Sequence, residues 1–64
     1  MTTIEIQIPD EVLISLKETP ETLKKELRIL AAVKLYELGK LSSGRAAQLA
    51  EMSRVEFLMI LGKY

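Results

Sequence analysis

Sixty-four residues make one small domain, near the size at which a single hydrophobic core is marginal, and the chain has neither cysteine nor histidine, which excludes disulfide staples and the usual zinc ligands. Nine basic residues balance nine acidic ones, so the strongly basic surface that gives most nucleic-acid binders their affinity is absent from the sum. Hydrophobic residues make up 48% of the chain, ample for a core and more than so small a monomer easily hides, which makes self-association the expected source of further stability.

Thr2-Thr3-Ile4-Glu5-Ile6-Gln7-Ile8 alternates polar and β-branched residues with period two, and Pro9 ends the run. The pattern predicts a β-strand over about residues 2–8. It has no second strand in the same chain to pair with, and a lone strand leaves its backbone groups unpaired. The expectation is therefore antiparallel pairing with the same strand of a second chain, an intermolecular ribbon with Ile4, Ile6 and Ile8 over a shared helical core and Thr3, Glu5 and Gln7 outward. That arrangement resembles the ribbon-helix-helix regulators, whose outward strand residues read a DNA groove. Glu5 would sit badly against phosphates, which favours the strand as a dimerisation device.

After Pro9, Asp10 can cap a short helix through Leu16, with acidic residues in the first turn where the helix dipole favours them. Thr19-Pro20 then stops this helix and starts the next, since threonine caps and proline suits the first helical position. The longest helix is expected over about 20–38, with Gly39 as its left-handed stop. It carries two apolar stripes, Leu23, Leu27, Leu30, Ala31 and Leu38 on one side and Ile29, Val33 and Tyr36 on another. A helix apolar on two sides packs against two things, here its own chain and a partner, with Ile29 and Val33 assigned to dimerisation.

Residues 42–63 read as a helix-turn-helix. Two helices crossing over a three- to four-residue turn need a small residue at the crossing, and Ala47 holds that place between Ala46 and Ala50. Met52, Phe57 and Ile60 supply the larger groups that close the corner. Ser53 suits the N-cap of the second helix, and Ser53-Arg54-Val55-Glu56 fits a capping box. Ser42 and Ser43 read as caps of the preceding helix. The turn calls for a positive φ at position 51, where the chain has Glu51. In DNA-binding versions the second helix enters the major groove with its first residues on the base edges. Ser53, Arg54 and Glu56 are thus the candidates for bases, and Arg45 and Lys40 for phosphates. Charge supports this half: from Lys40 onward four basic residues outnumber Glu51 and Glu56, while before Lys40 five basic residues stand against seven acidic.

The order of residues from Ala31-Ala32 through Leu35-Tyr36-Glu37-Leu38-Gly39, Ser43-Gly44-Arg45-Ala46-Ala47 and Ser53-Arg54-Val55-Glu56-Phe57 resembles a family of small prokaryotic proteins catalogued as uncharacterised. The resemblance implies an antitoxin-like helix-turn-helix protein, encoded beside a nuclease-type toxin and repressing its own operon. Two departures stand out: the family usually has glycine where this chain has Glu51, and it commonly continues past the Tyr64 equivalent with an acidic tail.

The expected fold is mainly α in one domain, 1–64: a pairing strand and short helix (1–18) for dimerisation, a long core helix (20–38) and a C-terminal helix-turn-helix (42–63). The expected function is that of a dimeric DNA-binding regulator, the antitoxin of a toxin–antitoxin pair, with DNA, a second copy and a toxin as partners. The alternative is a protein-interaction module in which the helix-turn-helix is only architecture; exposure of Leu58, Met59 and Leu61 would favour it. An enzyme is not expected, because no histidine, cysteine or glycine-rich phosphate loop is present and nothing could activate Ser42 or Ser43. No metal or cofactor is expected either. With no basic leader at Met1 and no apolar run near about 18 residues, the sequence reads as a soluble cytoplasmic protein without a membrane segment.

Overall fold

The computed structural model describes residues 1–64. Four helices follow an extended amino-terminal arm: α1 (Asp10–Leu16), α2 (Pro20–Glu37), α3 (Ser43–Leu49) and α4 (Arg54–Ile60), with a 3-10 turn, Leu61–Lys63, at the end. The helices take 66% of the chain and there is no strand or sheet. This corrects the strand expected over 2–8 and with it the intermolecular ribbon. Period-two alternation decides which side of a strand would be apolar, but a ladder needs a second backbone, and residues 1–9 make no backbone pairing of that kind. Ile4 and Ile6 stand in solvent, and only Ile8 is half-buried.

Local chemistry explains where each helix starts. Thr19 caps α2, its hydroxyl accepting from the Thr22 amide at 3.3 Å while the Thr22 hydroxyl accepts from the Thr19 amide at 3.0 Å, and Pro20 takes the first helical position. Ser42 caps α3 by accepting from the Arg45 amide at 3.2 Å. Asp10, expected as a cap, is instead the first residue of α1. Pro9 holds the cap position with no side-chain bond, and its carbonyl accepts from the Val12 amide at 3.0 Å.

Three helices close in the same way. After α1, α2 and α3 the chain enters the left-handed region once, at Lys17 (φ 56), Gly39 (φ 74) and Glu51 (φ 58). Each time the following amide reaches back to the carbonyl five residues earlier: Glu18 to Leu13, Lys40 to Leu35, Met52 to Ala47. This paired closure satisfies the last carbonyls of a helix and suits glycine best. Only α2 has one.

The core sits where α2, α3 and α4 meet. Ala32 and Val33 of α2, Ala46 and Ala47 of α3 with Ala50 at its C-cap, and Phe57 of α4 are buried together, with Ile29, Tyr36, Leu41, Leu49, Met52, Ile60 and Leu61 packed on them. Four of these six are alanines, so the backbones approach closely and Phe57, fully buried, fills the corner. Tyr36 meets its ring edge-on, with centroids 5.6 Å apart and planes at 89°, a geometry aromatic pairs favour. Val33, assigned to dimerisation by its stripe, is thus occupied in the chain's own core, and Ile29 packs beside it. Leu27, Leu30 and Leu38 of the other stripe are exposed, while Leu23 is buried. At the α1–α2 joint, the neighbouring Glu26 carboxyl and partial burial raise the Glu18 carboxyl above its ordinary value.

Two stability outcomes follow. Ala47→Leu overfills the α2–α3 crossing and is expected to lower stability by about 1–3 kcal/mol in denaturant titration. Glu51→Gly relieves a left-handed residue, worth about 1–2 kcal/mol, against loss of the surface ion pair of Glu51 with Arg28, where Nε lies 3.3 Å from Oε1. Exposed pairs contribute about 0–1 kcal/mol. The variant should therefore melt higher than the parent chain, and by a wider margin in high salt, where the lost pair matters less.

Candidate functional site

The site begins with the turn that joins α3 to α4. Glu51 turns the chain through its positive φ, and Met52 follows with its side chain on the core. Met52 and Phe57 then occupy the two positions of a hydrophobic staple, one just before the cap and one in the first turn, which sets the angle at which α4 leaves the corner. Ser53 closes the entry. Its hydroxyl accepts from the Glu56 amide at 3.1 Å, and the Glu56 carboxylate accepts from the Ser53 amide at 3.0 Å. The Ser53 amide, and its hydroxyl beside the carboxylate, hold Glu56 below its ordinary value of 4.5. Two of the three side chains expected at base edges, Ser53 and Glu56, are engaged in holding the helix end.

Arg54 is the residue that the corner sets in place. Its Nε donates to the Ser43 hydroxyl at 2.8 Å, across eleven residues, so the first turn of α4 is tied to the first turn of α3. The other nitrogens of the guanidinium have no protein partner, and the side chain stays exposed. Arg45, on α3, donates from Nη1 to Gln48 Oε1 at 2.9 Å and borders a shallow depression with Ser42, Gly44 and Gln48. Lys40, in the connection between α2 and α3, is exposed. The corner therefore brings Arg54 to the start of α3, the helix that carries Arg45. Ser43 and Gln48 are the members that sequence reasoning missed. Arg45–Gln48 is a three-residue helical spacing and was readable; the Ser43–Arg54 tie depends on the crossing and has no local signal.

The outward side of α4 is apolar. Val55 is 68% exposed, Met59 74% and Leu58 40%, while Leu61 is half-buried. A second groove, behind the turn, is lined by Lys25, Arg28, Ile29, Ala50, Glu51 and Met52 and is bridged by the Arg28–Glu51 ion pair. No helix is long and apolar enough to cross a membrane.

Fold and site together define a small all-helical protein built on an alanine-lined three-helix core with a tight joint between its last two helices. The chain belongs to the family described as "Uncharacterised protein family (UPF0175)", whose model matches residues 1–64. It is similar to a curated relative, "UPF0175 protein", from Aeropyrum pernix (strain ATCC 700893 / DSM 11879 / JCM 9820 / NBRC 100138 / K1), at 38% identity over 60 residues. That match covers 94% of this chain and 63% of the relative, so the chain spans less than two thirds of the relative's length. No solved structure matches.

The capping carboxylate gives a pH test. Because the folded state lowers the Glu56 value, its contribution to stability is fully present above the ordinary value of 4.5 and is lost as pH falls through the lowered one. Glu56→Gln keeps a capping oxygen but no charge. The variant is expected to lose this acid-dependent part of the melting curve, read as thermal midpoints from about pH 6 to about pH 3 against the parent chain.

Proposed function

We propose that this chain is a DNA-contacting regulator whose α3 and α4 form a helix-turn-helix, acting as a dimer and serving as the antitoxin of a toxin–antitoxin pair that represses its own operon. The observation that carries the reading is Arg54: an exposed arginine in the first turn of α4, with Nε anchored on Ser43 and its terminal nitrogens without a protein partner. A guanidinium so anchored presents two parallel donors, the arrangement that reads the O6 and N7 edge of guanine, worth about 1–3 kcal/mol of discrimination. Arg45 and Lys40 supply phosphate contacts. Ser53 and Glu56 act through the helix end that they cap, not as readers of bases. The antitoxin assignment rests on the resemblance alone, and the toxin is a partner of this reading only.

A second reading has its own observation. A helix that enters a polar groove gains little from an outward row of Val55, Leu58 and Met59, and that row favours a protein-interaction module whose joint is architecture.

The two readings separate in one titration on labelled DNA from upstream of the gene. On the regulator reading, Arg54→Ala abolishes sequence preference while leaving residual salt-dependent binding, and Met59→Glu weakens binding to all sequences alike through its added negative charge. Unchanged preference in Arg54→Ala would sink the regulator, and a parent chain that ignores DNA at low salt would move the assignment to the interaction module.

A further inference from the structure

The chain exposes more surface than its mass calls for. A folded monomer of 7.2 kDa is expected to expose about 4,100 Å², and this one exposes 5424 Å². The excess of about 1,300 Å² exceeds the roughly 800 Å² that each partner buries in a standard stable interface. Its radius of gyration, 12.7 Å, is likewise above the value of about 11 Å expected for a compact chain of this length.

The excess is not spread evenly. Nine of the thirteen exposed large apolar side chains precede Gly39, on the arm, α1 and the outer side of α2, where only Leu23, Ala32 and Val33 are buried. Leu27, Leu30, Ala31, Lys34 and Leu38 form one continuous row along α2, at the three- and four-residue steps that keep side chains on one helix face. The row contains a single charge, and Lys34 already lies 3.8 Å from Glu37 of the same helix. Its aliphatic stem can cover a neighbouring leucine while the ammonium stays in water.

We propose that a second copy of this chain covers this side, the two α2 helices crossing at Ala31. The assignment takes up the dimer of the preceding reading and gives it a face, but the surface it stands on is independent of DNA contact. A copy of the same chain is the occupant because the row is self-complementary. In a two-fold pair, residues at the crossing meet their own counterparts. Ala31 is the one small side chain in the row and lies near the middle of α2, so the backbones approach closest there. Leu30 then meets its counterpart on one flank of the crossing, and Leu27 and Leu38 extend the contact to either side. Such a pair removes part of the excess from water, and the rest lies on the arm and α1, where Ile4, Ile6, Val12, Ile14 and Leu16 are also exposed.

The chain has no cysteine, so a single introduced thiol reports on one position. Sedimentation of the parent chain without DNA is expected to give roughly twice 7.2 kDa. Under mild oxidation Ala31→Cys should form a covalent dimer at least about tenfold faster than Met59→Cys, which puts a thiol at another exposed position, on α4. A parent chain that stays monomeric through the sub-millimolar range overturns the proposal. So does a dimer in which Met59→Cys cross-links as fast as Ala31→Cys, which would put the contact on α4. Both readouts omit DNA, so failure of the regulator reading leaves them unaffected.

Discussion

The structure depends on one close approach, that of α3 to α2. Ala46 and Ala47 lie against Ala32 and Val33 with almost no exposed surface, and this is possible only because none of the three alanines carries an atom beyond Cβ. Small side chains gain little from burial individually, at about 0.8 kcal/mol per methylene-sized group. Their value is geometric. They bring two backbones near enough for α4 to fold across both, so that Phe57 becomes fully enclosed and supplies the large apolar contribution the alanines lack. The corner is then rigid enough to hold Arg54 against Ser43. That bond spans eleven residues and exists only when the α3–α4 angle is right.

Three left-handed closures show how the same constraint is met with different residues. Gly39 adopts its φ freely, whereas Lys17 and Glu51 carry a Cβ into a region that disfavours it. At Glu51 the side chain reaches Arg28 of α2, a pair half-buried at the arginine and exposed at the carboxylate, and an ion pair by distance without the alignment of a hydrogen bond. The strain is held by the burial of Met52 and Phe57 on either side of the cap. At Lys17 nothing comparable follows, because α1 buries none of its residues. The joint at Glu51 is secured by packing and the one at Lys17 is not, so the amino-terminal third is the part of the chain least fixed by its own contacts.

That difference explains what could be read from the sequence. The caps at Thr19, Ser42 and Ser53, the proline at the start of α2, the glycine at its end and the positive φ at position 51 are all decided within five residues, where side chain and backbone meet whatever the rest of the chain does. The alanine corner was legible for a similar reason: a short turn between two helices demands a small residue at the crossing. The amino terminus was not legible. Residues 2–8 have an alternating pattern and high β propensity, but both describe how well a segment fits a sheet that already exists. Val33 was misread more simply. Two stripes on one helix show that both sides are apolar without saying which side the chain's own core takes, and here the core took Ile29, Val33 and Tyr36 and left Leu27, Leu30 and Leu38 outside.

The charge balance bears on how such a corner could work on DNA. Counterion release makes affinity rise with the number of phosphates neutralised, and Lys40, Arg45 and Arg54 of one chain are few. On the regulator reading, useful affinity therefore has to come from joining two corners, since a second contact made within one complex proceeds at a high effective concentration. The two halves of the chain then have distinct demands placed on them by the same small core. On that reading the carboxyl-terminal half has to stay polar enough at Arg54 to meet DNA, and the amino-terminal half has to leave apolar surface uncovered so that a second corner can be brought alongside. The outward row of α4 sits between these demands. If Val55, Leu58 and Met59 were as hidden as Phe57, the helix would have no apolar face to offer a protein; exposed as they are, they make α4 the element on which the choice between nucleic acid and protein turns.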